Sequence, residues 1–409
     1  MEYMYKLFYN LNGEKERTKE LQNRYNGQTT KKTKMDMKPI DQTNIFNIYY
    51  VPTENTMRLV SEVYKLDGEL KLEDEKIPQV AKRHFLIELI ASELFSTNEI
   101  EGVKSSKEEI VKTARNVLSK PEGKVNRVRF ESVLYSYFSL SDDKLSVPDK
   151  VEDIRTIYDK ITDGEIEKSS LPDGKLFRKE IAYVFGKDIG KEIHRGIYDE
   201  QKIIEKLNLL FGFMEEKECD IISIAIAHYY FGYIHPFYDG NGRTGRFISS
   251  IYLNESLSSL TAMSLAQGIN FNKNKYYDAF HKTNQVSSQG ELNYFVDSFL
   301  ELLISGQKHL KEELESKSLL IKSGFDKIDN DDNISDEVDE NIMGVLVQEH
   351  LFNRIGEGVG AKDLIDAEIL GLSNQTIIKR FKSLEERGLV YQSKGRPLKY
   401  KLSESYLEN

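Results

Sequence analysis

The segment His235-Pro236-Phe237-Tyr238-Asp239-Gly240-Asn241-Gly242-Arg243-Thr244-Gly245-Arg246 gathers in one short run the groups that phosphate chemistry needs. His235 is its only side chain whose ordinary pKa lies near neutrality, so it suits a general base that takes a proton from an incoming hydroxyl. Gly240 and Gly242 stand one residue apart and let successive backbone N–H groups turn toward a common point. A helix starting just beyond them makes that concavity more electropositive. Arg243 and Arg246 are three apart, so on a helix they share a face and bracket the remaining phosphates of a nucleotide. Asp239 is the carboxylate of the loop and the candidate metal ligand, because Mg2+ bridging phosphates takes only one or two protein carboxylates. Pro236 and Phe237 read as mechanical: a fixed φ after the base and a buried ring that anchors the loop. The competing reading is a Gly-Asn-Gly turn with exposed arginines and a core histidine, against which the density of specified positions weighs.

Helices must position this loop. Apolar residues from Ile221 to Tyr233 predict one before it, and a second is expected from near Thr244. Further helical patterns run over Ile77 to Phe95 with Pro78 near its start, Lys107 to Leu118, Val128 to Phe138, Val151 to Ile161, Glu200 to Met214 and Glu291 to Leu320. Phe177 to Ile193 is the exception, because Ile181, Tyr183 and Phe185 alternate before Gly186 and Gly190, which predicts a short strand or hairpin. Asn12 to Gln42 is almost continuously polar and reads as a mobile arm. Asp326 to Glu337, rich in Asp, Asn and Ser, reads as a linker. No fixed-period repeat is present, so solenoids are set aside.

The composition bounds the possibilities. With 409 residues the chain should hold two or three units, and 30% charged residues with a net charge of −10 describe a soluble globular protein and disfavour a globally basic nucleic-acid binder. The single Cys219 forms no internal disulfide and offers no metal cluster, so a reducing cytoplasm fits best. The apolar start at Met1 to Asn10 is interrupted by Lys6, and the expectation is no secretion signal, membrane anchor or membrane partner.

The loop resembles the Fic family signature His-Pro-Phe-x-Asp/Glu-Gly-Asn-Gly-Arg-x-x-Arg at every specified position. The resemblance extends through Ala227-His228-Tyr229-Tyr230-Phe231 upstream and Tyr276-Tyr277-Asp278-Ala279 downstream, covering about Phe130 to Leu310. It implies a mainly helical fold with a β-hairpin flap, ATP and Mg2+ as cosubstrates, and transfer of AMP to a Ser, Thr or Tyr hydroxyl of a target protein, with pyrophosphate leaving. Carried over by position, His235 is the base and Asp239 binds Mg2+. Asn241 with the Gly240 and Gly242 amides holds the α-phosphate, Arg243 and Arg246 hold the β- and γ-phosphates, and Tyr277 belongs to the adenine pocket. Relatives that phosphorylate depart from the second glycine of the turn, and Gly242 is intact, which favours adenylylation. The stretch Arg178 to Val184 resembles the flap, whose edge would pair with an extended target peptide, although Ala182 stands where a larger β-branched residue is common.

Ser96-Thr97-Asn98-Glu99-Ile100-Glu101-Gly102 resembles the Ser/Thr-x-x-x-Glu-Gly pattern of an inhibitory helix in one Fic class. Thr97 and Glu101 are i,i+4 partners, and the resemblance implies that Glu101 pairs with Arg246 and blocks productive ATP binding. The competing reading makes Gly102 a plain helix C-cap. An alternative activity uses the same site to remove AMP, with Glu101 positioning water.

In the tail, helices over Ile342 to Phe352, Ala361 to Ala367 and Asn374 to Arg387 are followed by strands at Leu389 to Gln392 and Leu398 to Leu402, a winged helix-turn-helix plan. Lys379, Arg380, Lys382, Arg387, Lys394, Arg396, Lys399 and Lys401 offer contacts to DNA phosphates. The apolar Leu372, Ile377, Ile378, Phe381 and Leu384 equally suit a domain that binds protein or dimerises. A homodimer and a DNA-binding regulator with a Fic core both stay open. The expected division is a polar, partly disordered arm over 1–45, a helical region with the inhibitory helix over 46–125, a catalytic core over 126–321, a linker over 322–336 and the winged helix over 337–409.

Overall fold

A computed structural model describes all residues except 41, 120–127, 186–191, 217–219, 335, 353–355, 367–368 and 408–409, so Gly186, Gly190, Cys219 and Ala367 lie outside the described residues. The chain is mainly helical. Its first half holds α1 (Met4–Asn10), α2 (Glu14–Tyr25), β1 (Lys31–Met37), β2 (Phe46–Tyr50), α3 (Glu54–Glu75), α4 (Gln79–Glu101), α5 (Lys107–Ser119), α6 (Glu131–Ser141) and α7 (Val151–Ile161). The site follows in β3 (Tyr183–Phe185), β4 (Glu192–Arg195), α8 (Glu200–Glu216), α9 (Ile221–Ile234), α10 (Asn241–Ser256), α11 (Ser259–Ala262), α12 (Leu265–Phe271) and α13 (Lys273–Thr283). The chain ends with α14 (Asn293–Asp329), α15 (Glu337–Phe352), α16 (Ala361–Asp366), α17 (Asn374–Glu386), β5 (Val390–Gly395) and β6 (Leu398–Leu402). Among the described residues six strands form three antiparallel pairs, β1 with β2, β3 with β4 and β5 with β6.

Two compact units emerge, Met1–Gly68 with Ile90–His309, and Glu69–Leu89 with Leu310–Asn409. The first is built around α9. That helix is apolar on every side, buries all but one of its residues, and is started by Asp220, whose carboxylate accepts from the Ile222 and Ser223 amides at 3.0 Å. His228 ties α9 to α10 and α13, with Ser249 Oγ and Tyr276 Oη each 2.8 Å from a ring nitrogen. In the second unit Ile342, Leu346, Ile377, Phe381, Leu384, Tyr400 and Leu402 form the core, and the Phe381 and Tyr400 rings stack at 4.6 Å.

Several elements differ from the sequence expectation. The polar arm expected over 1–45 is largely regular structure: α2 and β1 are held by Arg24, buried against Glu291 at 2.7 Å, and by Met35 and Met37, which are fully buried. Those partners lie far along the chain, and a polar segment anchored by a few long-range contacts has no local period to read. The helix α3, absent from the expectation, buries Leu59, Val63, Leu66 and Leu70 amid many charges. The long helix α14 runs past Leu320 to Asp329 and buries Ile328, so it absorbs part of the expected linker 322–336. The core expected over 126–321 likewise draws on Met1–Gly68 and ends at His309 within the compact unit. At shorter range, α4 continues to Glu101, α6 starts at Glu131, and α10 starts at Asn241 rather than near Thr244.

The tail contains the expected three helices and hairpin, but half of its candidate DNA contacts are already paired. Arg380 meets Asp336 at 2.6 Å, Arg387 meets the buried Asp339 at 2.6 Å, Lys394 meets Glu357 at 2.6 Å, and Lys399 meets Asp363 at 3.5 Å. Lys379, Lys382 and Arg396 are exposed.

Candidate active site

His235 is the C-cap of α9 and adopts the left-handed conformation, φ 53° and ψ 61°, unusual for a residue with a side chain. Arg178 holds it there. Its guanidinium is fully buried and donates from Nε to His235 O at 2.8 Å, from Nη2 to Ile234 O at 3.3 Å and from Nη1 to Glu180 O at 2.5 Å. Gly196 leaves room for this, since a Cβ there would strike Arg178 Nη2 and come within 3.0 Å of His235 Cβ. Phe237 anchors the loop from inside, fully buried and stacked on Tyr158 at a centroid distance of 3.7 Å. Asn241 ties loop to helix: its Oδ1 accepts from Phe237 N at 2.9 Å and its Nδ2 donates to Phe237 O at 2.7 Å. One N–H of that amide is left for a phosphate, so most of its capacity serves to close the loop.

Gly240 is left-handed, φ 83°, and a Cβ there would meet Thr162 Cγ2 at 2.8 Å, so this turn requires glycine. The α10 N-terminus that follows presents its amides with the helix dipole behind them. Asp239 is exposed, and one carboxylate oxygen accepts from the Gly240 amide at 2.6 Å. Its donor chemistry fits Mg2+, which accepts a single protein carboxylate when phosphates and water complete the shell. Among the described residues no group of three or more His, Cys, Asp or Glu forms a closed metal site.

Arg243 and Arg246 are buried within the first turns of α10. Arg243 Nε and Arg246 Nη1 have no hydrogen-bond partner among the described residues. Buried guanidinium N–H groups without partners are costly, so the cleft is built to receive an anion. The remaining donors of Arg246 are engaged: Nε donates to Thr97 Oγ1 at 2.8 Å, Nη2 to Thr97 O at 3.2 Å, and Nη2 pairs with Glu101 Oε1 at 2.7 Å. Burial by itself would lower the Arg246 pKa, and Glu101 outweighs it, so the pKa is raised. Thr97 and Glu101, one turn apart on α4, thus reach the same guanidinium. Gly242 lies under this pair, since a Cβ there would run into the Glu101 carboxylate.

A half-open cleft adjoins this junction; His235, Glu101, Gly242, Arg246, Tyr277 and Val184 of β3 line it. Burial, then His194 and Arg178, push the His235 pKa well below its usual value, which keeps the ring neutral and able to accept a proton. His194 of β4 faces it, with ring centroids 6.3 Å apart, and is bound to Tyr233 O at 2.8 Å.

The structure brings His235, Asp239, Gly240, Asn241, Gly242, Arg243 and Arg246 into one loop-helix junction and sets Thr97, Glu101 and Tyr277 beside it. Gly102 ends α4 at φ 74°, as the cap reading expects, one residue after the carboxylate of the inhibitory reading. The hairpin starts later than Arg178, at Tyr183: Tyr183 pairs with Arg195, Val184 with His194 and Phe185 with Glu192. Sequence reasoning missed Arg178 as a loop support, because Phe177-Arg178-Lys179-Glu180 reads as an exposed strand edge. His194 was missed as well, although its place in a strand facing the loop histidine was a usable signal.

Comparison with known proteins agrees with this architecture. Residues 148–253 match the model of the Fic/DOC family. Among solved structures, a Fic family protein from Desulfovibrio desulfuricans is similar at 17% identity and a TM-score of 0.51, over 87% of this chain and 98% of that one. Fic-1 from C. elegans is matched at 20% identity and a TM-score of 0.42, over 62% of this chain and 71% of that one. A Fic domain containing signaling protein from Bacteroides thetaiotaomicron is matched at 14% identity and a TM-score of 0.38, over 62% of this chain and 98% of that one. Fic domains typically transfer AMP or another nucleoside monophosphate to proteins. No described helix is long and apolar enough to cross a membrane. The chain carries a Fic/DOC family domain, and the loop from His235 to Arg246 is the junction of α9 and α10 built above.

Proposed function

We propose that the protein is an adenylyltransferase that moves AMP from ATP to a Ser, Thr or Tyr hydroxyl of a target protein, and that Glu101 holds it in check. The observation that carries this reading is the set of buried, unpartnered guanidinium N–H groups of Arg243 and Arg246 at a helix N-terminus beside His235. In the reaction the target hydroxyl oxygen forms a bond to the α-phosphorus while the bond to the β-phosphate oxygen breaks. His235 takes the hydroxyl proton and pyrophosphate leaves. The Gly240 and Gly242 amides and the free Asn241 N–H receive charge on the α-phosphate, and the two arginines receive charge on the leaving pyrophosphate. Asp239 would hold Mg2+, whose charge offsets that of the phosphates when bound. The pocket-facing residues Val184 and Ile193 on the hairpin would lie against an extended target segment.

The test is to incubate wild type, Glu101→Gly and His235→Ala with Mg2+ and α-labelled ATP and weigh each intact chain. The expected result is AMP on Glu101→Gly, little on wild type and none on His235→Ala. No transfer by any of the three, together with release of AMP from a modified protein by wild type, would replace this reading with AMP removal.

A further inference from the structure

The last turn of α4 carries the inhibitory glutamate, and a helix end leaves its final carbonyls without partners inside the helix. Gly102 begins the closure: Val103 N donates to Asn98 O at 2.9 Å and Gly102 N to Glu99 O at 3.4 Å, the paired bonds of a Schellman cap. Helix α13 adds two more donors. The Tyr277 hydroxyl donates to Ile100 O at 2.7 Å, and Lys273 Nζ donates to Glu99 O at 3.0 Å. Lys273 and Tyr277 are four apart on α13 and therefore project from one face, where they grip consecutive carbonyls. A cation at a helix C-terminus also complements the dipole. Tyr277 lines the cavity together with Glu101, whereas Lys273 does not line it.

We infer that α13 is the clasp of the inhibitory helix, with Tyr277 and Lys273 as positioning residues that hold the Glu101 turn over Arg246. This rests on the proposed inhibition of the same site. Tyr277 then has a second task besides walling the cavity, because its hydroxyl fixes the helix that, in the proposed inhibition, opposes nucleotide binding.

The test uses the full chain and reads the helix end directly. Amide hydrogen exchange at Gly102 and Val103 is compared in wild type, Tyr277→Phe and Lys273→Met, and AMP self-transfer is measured on the same samples. Loss of one neutral hydrogen bond should raise opening, and with it exchange, about fivefold in Tyr277→Phe. The solvent-exposed bond of Lys273 should give about a twofold rise. Transfer should rise in the same order, and Lys273→Met should add nothing once Glu101 is already glycine. Unchanged exchange in both variants would overturn the clasp. So would a Lys273→Met increase in transfer that is equally large with and without Glu101. Raised exchange with no AMP transfer in any variant would instead uphold the clasp and defeat the proposed activity.

Discussion

Replacing Glu101 by glycine should make the protein more active and less stable at once, because both effects come from one ion pair. Arg246 is 1% exposed and Glu101 30% exposed, and they meet at 2.7 Å. At that separation, with an effective dielectric of about 20, their attraction is about 6 kcal/mol. Desolvation of both groups and the water that still reaches Glu101 reduce the net loss on breaking the pair to about 2 to 3 kcal/mol. The folded protein loses that amount, a fall of about 4 to 8 °C in Tm for a domain of this size. The closed arrangement loses it too, so the fraction with Arg246 free for phosphate rises by about 30- to 150-fold until it saturates.

Ligand rescue separates this account from simple damage. A buried Arg246 deprived of Glu101 regains a counter-charge when a triphosphate enters, so ATP with Mg2+ should raise the Tm of Glu101→Gly more than that of wild type. Ligand at about 100 times its Kd supplies about 2.7 kcal/mol, comparable with the loss. Glu101→Gln, which keeps shape and a donor-acceptor contact but no charge, should fall between the two in both stability and transfer. Thermal unfolding with and without ATP, run beside intact-mass measurement of AMP transfer, decides the matter. A variant as stable as wild type, or a loss of stability that ATP does not restore, would refute the reasoning.

Three further outcomes are expected. Phe237→Ala should cost about 3 to 5 kcal/mol in denaturant unfolding and abolish transfer, since the ring is fully buried and stacked on Tyr158. Glu93, fully buried on α4 and accepting from the Ala266 and Gln267 amides, has its pKa pushed up to about 8 by burial. A carboxyl with a raised folded pKa loses stability as pH rises between its unfolded and folded values, so Glu93→Gln should gain on wild type by about 1.4 kcal/mol per pH unit between pH 5 and 8; parallel stability profiles for the two proteins would contradict this. With four of the tail's basic residues paired to carboxylates, DNA binding through Lys379, Lys382, Arg396 and Lys401 would show a log-log salt slope of about −3 to −4, and a steeper slope would require those pairs to open.

Legibility in the sequence followed the range of the interactions. The loop from His235 to Arg246 was readable because its chemistry is local: backbone turns, a helix start and side chains three or four apart. Thr97 and Glu101 were singled out by resemblance to a family pattern, and their place one turn apart on one helix lets both reach Arg246. Arg178 was not, because nothing within its own segment shows that its guanidinium turns inward to three carbonyls more than fifty residues away in chain order for two of them. The amphipathic α7 and α8 were placed nearly to the residue. The strand β1 was missed because its polar residues carry no local period, whereas Leu59, Val63, Leu66 and Leu70 of α3 stand at helical spacing and were a usable signal. The paired arginines of the tail show the same limit from the other side, since composition revealed a basic stretch while only the fold revealed Asp336 and Asp339 beside it.

In the proposed inhibition, the division of labour on Arg246 would let a brake share a seat with a substrate. Thr97 holds Nε, on the inner side, while Nη2 meets Glu101 and Nη1 has no partner among the described residues and lies 3.0 Å from where a Cβ of Gly242 would stand. The inner contact with Thr97 also holds the guanidinium, so in the proposed release the Glu101 carboxylate leaves Nη2 as its turn loosens, and its partial exposure leaves it a route to water. The space above Gly242 is therefore claimed by the Glu101 carboxylate when the site is closed and, in the proposed reaction, by phosphate oxygens when it is open. Any side chain at position 242 would meet the Glu101 carboxylate, so the proposed inhibition and the proposed nucleotide binding both ask for glycine there.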